Sequence, residues 1–173
     1  MMNYKVKLHD IKAFVFDYDG VMSDGMIYTS GEDIIMRNGN VKDGYAIQYA
    51  LKRGYKIAIL SGGTGKSIET RMKMLGVTDV FMGAKQKLSV YENYLKCNHL
   101  EKNNVLYMGD DIPDYDIMIN AGVATCPKDA AEEIKQVADY ISDKNGGEGC
   151  VRDVIEQVLK LQGQWFNEES KEW

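Results

Sequence analysis

Four short stretches of this chain carry side chains whose type and spacing can do chemistry. They are Asp17-Tyr18-Asp19-Gly20, Ser61-Gly62-Gly63, Lys87 with Lys85 close by, and Gly109-Asp110-Asp111. Asp17, Asp19 and Asp110 offer the hard oxygens that Mg²⁺ takes into its octahedron beside water and phosphate oxygens. Crowded together without a cation, such carboxylates repel by about 4 kcal/mol per pair at 4 Å and an effective dielectric of ~20. A metal ion and Lys87 among them would make the grouping favourable. In that setting Asp17 is a competent phosphoryl acceptor, with Mg²⁺ and Lys87 stabilising an in-line transition state. Asp19, two residues on, is spaced to protonate a leaving oxygen and then take a proton from water. Ser61 and the amides near Gly62 are candidates to hold phosphate oxygens.

Each piece has a plainer reading on its own. Asp-x-Asp and Asp110-Asp111 before Pro113 can merely cap helices, Ser-Gly-Gly can be a turn, and a lysine is usually solvated. The chemical reading rests on their order along the elements that must position them. Apolar runs suited to strands fall at Ala13 to Phe16, Lys56 to Leu60, Asp79 to Met82, Val105 to Met108, Val123 to Cys126 and Tyr140–Ile141. Helical patterns lie between them, over Gly44 to Arg53, Gly65 to Leu75, Lys85 to Lys96 and Pro113 to Ala121. Three of these stop before a glycine suited to the left-handed C′ position. Such alternation predicts an α/β fold, a three-layer Rossmann-like parallel sheet with helices on both faces. In that fold ligands bind beyond the carboxyl ends of the strands, where the four stretches would meet.

One segment interrupts the rhythm. Met26 to Thr29 and Ile34 to Arg37 flank Ser30-Gly31-Glu32-Asp33, which reads as a β-hairpin. It predicts an inserted flap over about residues 22–39, directly after the first strand, in a single domain spanning 1–173 with no cap domain. The tail, about 163–173, is rich in Glu and Lys and is expected to fray, with its tryptophans available to dock on a neighbour.

Composition excludes several function classes. The net charge of −5 disfavours a nucleic-acid partner. The longest apolar runs are about four residues, against the ~20 that a membrane span needs, and the N-terminal residues show no signal-peptide core. Cys97, Cys126 and Cys150 are scattered and without motif, which suits reduced thiols in the cytoplasm. Gly62-Gly63-Thr64-Gly65-Lys66-Ser67 imitates a phosphate loop, but the position that must hold the leading glycine is Leu60.

The stretch Phe14 to Val21 resembles the first motif of the haloacid dehalogenase superfamily, Ser61 its second, Lys87 its third, and Gly109-Asp110-Asp111 with Asp114 its fourth. Asp17 to Gly25, Asn40-Val41-Lys42-Asp43-Gly44 and Gly146 to Asp153 are similar to the small capless phosphatases acting on 3-deoxy-D-manno-octulosonate 8-phosphate. The likeness covers about residues 10 to 162. It implies a cytoplasmic, Mg²⁺-dependent phosphoric monoester hydrolase of lipopolysaccharide precursor synthesis. It also implies a homotetramer whose hairpins and C-terminal segments complete neighbouring active sites. By the resemblance Asp17 is nucleophile and metal ligand, Asp19 is acid/base and a ligand through its carbonyl, and Asp110 is a further ligand. Asn40, Val41, Lys42, Asp43, Gly44, Gly62, Arg71 and Lys87 would contact substrate or phosphate, and Arg152 would meet substrate from a neighbouring chain.

Two positions depart from the pattern. Gly63 and Gln48 stand where many relatives carry arginine, which removes positive charge near the presumed sugar-acid carboxylate. A phosphorylated nine-carbon acid such as 2-keto-3-deoxynononate 9-phosphate is therefore the alternative substrate, although the Glu often found at position 63 in that group is absent. A receiver-like signalling module would use similar aspartates, Mg²⁺ and a lysine, but Asp19 and the hairpin suit it poorly. A non-catalytic regulatory subunit of the same fold would require a lost catalytic residue, and none is missing.

Overall fold

The computed structural model describes residues 3–30 and 35–171. A single helical turn, α1 (Tyr4–Lys7), precedes the central strand β1 (Ala13–Phe16). The flap strands β2 (Tyr28–Thr29) and β3 (Ile35–Met36) follow, then α2 (Val41–Lys52) and β4 (Lys56–Leu60). Next come α3 (Lys66–Met74), β5 (Asp79–Phe81), α4 (Lys87–Cys97), β6 (Val105–Met108) and α5 (Tyr115–Met118). β7 (Val123–Cys126), α6 (Glu132–Val137), β8 (Tyr140–Ile141) and α7 (Cys150–Leu161) complete the regular elements.

Six strands form one sheet in the order β5-β4-β1-β6-β7-β8, and every neighbouring pair is parallel. Its register places Phe16 beside Ile59 on one side and Met108 on the other. Strand order reverses at β1, so β1, β4 and β6 end together at the topological switch point. All residues of β1, β6 and β7 are buried, as a sheet covered on both faces requires. Alternate residues serve opposite faces. Phe14, Phe16, Ile57, Ile59, Leu106 and Met108 pack toward α2, α3 and α7. Val15, Ala58, Leu60 and Tyr107 pack toward α4, α5 and α6.

Five of the six sheet strands coincide with their expected bounds, and β5 stops one residue early at Phe81. Helix ends differ more. α2 starts at Val41 rather than Gly44, because the Asn40 side chain accepts the Lys42 N–H at 2.8 Å and caps the first turn. α4 starts at Lys87 rather than Lys85. The helix expected over 113–121 is instead a 3₁₀ turn, Ile112–Asp114, capped by Asp111 and running into the short α5. α1, α6 and α7 were not expected. α7 buries Val151, Val154, Ile155, Val158 and Leu159 at helical spacing and packs along α2.

The flap strands pair antiparallel, Tyr28 opposite Met36 and Thr29 opposite Ile35. They are shorter than the expected Met26 to Thr29 and Ile34 to Arg37, and the turn at Gly31 to Ile34 lies outside the described residues. The tail does not fray over residues 162–171. Tyr49 Oη donates to the Gln164 carbonyl at 3.1 Å and to Asn167 Oδ1 at 2.9 Å. Trp165 packs edge-on against Tyr45 and Tyr49 of its own chain, so it docks in place rather than on a neighbour. Trp173 lies outside the described residues.

Candidate active site

The ends of β1, β4 and β6 bring Asp17, Asp19, Ser61, Gly62, Lys87 and Asp110 to one cavity of about 320 Å³. The residues expected at the catalytic and metal positions are therefore together, although 93 positions separate Asp17 from Asp110. Asp17 continues the β1 ladder, its N–H donating to the Met108 carbonyl at 3.0 Å. Its Oδ1 accepts the Tyr18 N–H at 2.7 Å, and its Oδ2 lies 2.9 Å from Lys87 Nζ. Lys87 Nζ also donates to Asp114 Oδ1 at 2.7 Å.

Asp114 is the hub behind the cavity and is fully buried. Its Oδ1 accepts from Tyr107 Oη at 2.5 Å as well as from Lys87. Its Oδ2 accepts from the N–H groups of Asp110 and Asp111, at 3.1 and 3.5 Å. One carboxylate thus fixes the lysine and the Asp110 loop together. The motif pointed to Asp114 without giving it a role. Tyr107 was missed, and its signal was a tyrosine within a buried strand, where the hydroxyl must find a partner.

The electrostatics are those of acids crowded without a compensating cation. Burial, then repulsion from Asp114, pushes Asp17 up to about 7 against the pull of Lys87. Burial, then Asp17 and Asp114, pushes Asp110 up to about 8. Burial acts against the Lys87 ammonium, but Asp114 and Asp17 outweigh it and raise its pKa above the ordinary lysine value. Oxygens of Asp17, Asp110 and Asp114 lie within 4.8 Å of one another. Asp110 Oδ1 is buried and has no hydrogen-bond partner among the described residues. An orphaned carboxylate oxygen facing other carboxylates fits a hard divalent cation. Asp17 and Asp114 each have both oxygens engaged by protein donors, so Asp110 Oδ1 is the unpartnered oxygen of the three acids. Gly20, at φ +85°, permits this approach, because a Cβ there would overlap the Asp110 carboxylate.

Ser61 is buried, and its Oγ accepts the Gly63 N–H at 3.1 Å, which leaves the hydroxyl proton for an anion. Asp19 does not join the acid cluster through its side chain. Its Oδ1 accepts from Arg37 Nε, and Arg37 Nη1 donates to the Thr64 carbonyl at 3.4 Å. Arg37 was missed as a site residue. It closes the expected flap strand, and nothing in its spacing ties it to Asp19.

The remaining expected contacts do not line this cavity. Asn40 caps α2, and its Nδ2 donates to the Gly147 carbonyl at 3.1 Å. Asp43 is fully buried and accepts the Arg152 N–H at 2.7 Å, and burial pushes it up to about 6. Val41 is exposed, while Gly44 lies against the Arg71 guanidinium and Leu75. Lys42 and Arg152 line a separate hollow of about 540 Å³. The Arg152 guanidinium sits 5.7 and 5.5 Å from the ring centres of Tyr45 and Trp165, and its Nε lies 3.2 Å from Glu156. The late glycine-rich stretch braces the Asp17 loop from behind: Gly147 N–H and Cys150 Sγ both reach the Val21 carbonyl, at 3.0 and 3.2 Å.

Known proteins resemble this chain over most of its length. A family model for haloacid dehalogenase-like hydrolases matches residues 76–155. The 3-deoxy-D-manno-octulosonate 8-phosphate phosphatase of Escherichia coli K12 is 35% identical over 157 residues, covering 91% of this chain and 84% of that protein. The Yersinia pestis enzyme of the same name is 33% identical over 153 residues, covering 88% and 82%. The Moraxella catarrhalis phosphatase, solved in complex with magnesium ion, phosphate ion and a KDO molecule, superposes with a TM-score of 0.92. It is 33% identical and is matched over 95% of each chain.

Proposed function

The chain belongs to the 3-deoxy-D-manno-octulosonate 8-phosphate phosphatase family of haloacid dehalogenase-like hydrolases, and from that membership we propose how its own residues work. It is a phosphoric monoester hydrolase that releases phosphate from the eight-carbon 2-keto-3-deoxy sugar acid of lipopolysaccharide precursor synthesis. The observation that carries the reading is the buried Asp17–Lys87 pair beside the unpartnered Asp110 oxygen.

Asp17 attacks phosphorus in line, forming an aspartyl phosphate as the bond to the sugar oxygen breaks. Asp19 gives that oxygen a proton, then takes one from the water that cleaves the aspartyl phosphate and restores Asp17. Lys87 faces both Asp17 and the incoming phosphate, so its charge offsets repulsion between two anions. Ser61 and the Gly62 backbone hold phosphate oxygens. Asp17, Asp110 and the Asp19 carbonyl would hold Mg²⁺, which when bound neutralises phosphate charge and acts as a Lewis acid. Arg71 and Lys42 carry the remaining positive charge offered to the substrate, while Asn40 and Asp43 support α2 from its first turn. This acid/base arrangement favours turnover over the lasting phosphorylation of a receiver module.

We further propose a cytoplasmic homotetramer in which Arg152 serves a neighbouring chain. In support, Met26, Ile27, Tyr28, Ile35 and Met36 expose apolar surface on the flap. Cys97, Cys126 and Cys150 are free, and no helix among the described residues is long and apolar enough to cross a membrane. Phosphate release from eight-carbon and nine-carbon keto-acid phosphates tests the substrate. Higher kcat/KM is expected for the eight-carbon ester with Mg²⁺ present, and the reverse preference would overturn it.

A further inference from the structure

We propose that Arg37 is a specificity-determining residue that binds the carboxylate of the sugar acid from the flap side. This rests on the hydrolase reading above and deepens it. Arg37 follows directly on β3, a strand whose two residues are both exposed, yet only 7% of its own side chain reaches solvent. Its Nε is committed to Asp19 Oδ1 and its Nη1 to the Thr64 carbonyl. A guanidinium has five N–H donors, and the remaining three have no partner among the described residues. Holding a nearly buried cation with most of its donors idle is costly, and a single ion pair with Asp19 does not offset it. An anionic ligand taking two parallel N–H bonds would.

The location selects which part of the substrate that is. Asp19 serves the leaving oxygen, so a group bonded to Asp19 stands beside the leaving sugar acid rather than the phosphate. Arg37 stands directly against two residues that line the cavity, Asp19 and Gly63. A Cβ at Gly63 would lie 2.9 Å from Arg37 Nη2 and 2.7 Å from Asp19 Oδ2, so the absence of a side chain at position 63 is what lets the guanidinium in. Lys87 is held by Asp17 and Asp114 and Arg37 by Asp19, so the two ends of a substrate anionic at both ends meet separate cations.

The test is the ratio of kcat/KM for the eight-carbon sugar-acid phosphate to that for a carboxylate-free ester, D-arabinose 5-phosphate, with Mg²⁺ saturating. Arg37→Ala is expected to lower this ratio at least tenfold, chiefly through KM for the acid. Arg37→Lys should fall between, because an ammonium keeps the charge without the fork. Gly63→Ala should lower the ratio as well, by pressing its methyl group on the guanidinium, and it decides the matter if Arg37→Ala fails to fold by circular dichroism. An unchanged ratio, with both esters slowed equally, would overturn the proposal and leave Arg37 as a holder of Asp19 only. A wild-type protein that itself shows no preference for the acid would overturn the sugar-acid substrate reading instead.

Discussion

The cavity has two walls built on opposite principles. One is built just beyond the strands: Asp17, Lys87 and Asp114 are buried and tied to each other, to the Tyr107 hydroxyl and to the Asp110 N–H by bonds of 2.5 to 3.1 Å. The other is Asp19 and Gly63, backed by the flap, two strands of two residues whose side chains face solvent and which reaches Asp19 through Arg37. The first wall does chemistry that needs sub-ångström placement, and it sits where the core over-determines every atom. The second meets the carboxylate end of the substrate, away from the reacting phosphorus. A thin ribbon there can change sequence without disturbing the nucleophile.

Asp17→Asn probes the difference most sharply. It removes the attacking oxygen while nearly keeping the shape, so kcat should fall by on the order of 10⁴ or more in a steady-state phosphate assay. A variant with wild-type turnover would break the assignment of the rigid wall. Lys87→Met separates the walls by stability. It strands Asp17 and Asp114 without their shared cation, and breaking a buried pair this way costs about 3–5 kcal/mol. On the flap, Met36→Ser should stay within about 0.5 kcal/mol. Urea melts of the two variants would contradict the contrast if both shifted alike.

The smallest expected effect is a pH dependence of the metal-free protein. Asp17 and Asp110 hold their protons to about 7 and about 8 in the folded chain, above the ordinary aspartate value that they regain on unfolding. The folded state therefore binds more protons across that window, and stability falls as pH rises from about 4 to 8. Mg²⁺ replaces those protons, so its increase in Tm should be larger at pH 8 than at pH 5.5. A metal-induced shift that is equal at both pH values would show that these acids are not its site.

The rigid wall was the legible one, and for the same reason that it is rigid. Asp17 directly follows one of the short apolar runs whose burial on both faces leaves little choice of structure, so Ala13 to Phe16 and Val105 to Met108 could be bounded from composition alone. The alternation of strands and helices then carried Asp17, Ser61, Lys87 and Asp110 to one rim. What resisted reading depends on contacts between distant residues. Arg37 finds Asp19 through a fold-back of the flap, and Gly63 is informative only once Arg37 is seen above it. The positive charge that position 63 lacks is thereby present in the site, brought from another element. α7 is a different case: Val151, Val154, Ile155, Val158 and Leu159 have the helical period, but the glycines before them drew attention to the loop. Asn40 and Asp43 were placed as substrate contacts, and here they work as a helix cap and a buried tie to α7, a use that spacing does not reveal.

That tie has a consequence for synthesis. The Val21 carbonyl, just past the nucleophile, waits for the Cys150 thiol, 129 positions later. At ~5–20 residues per second a ribosome needs roughly 6 to 26 seconds to reach it. Through that interval the inner stripe of α2 has no α7 to cover it, and the turn carrying Asp17 and Asp19 lacks its rear support. The reaction centre is encoded early but finished late, by nearly the last helix to leave the exit tunnel.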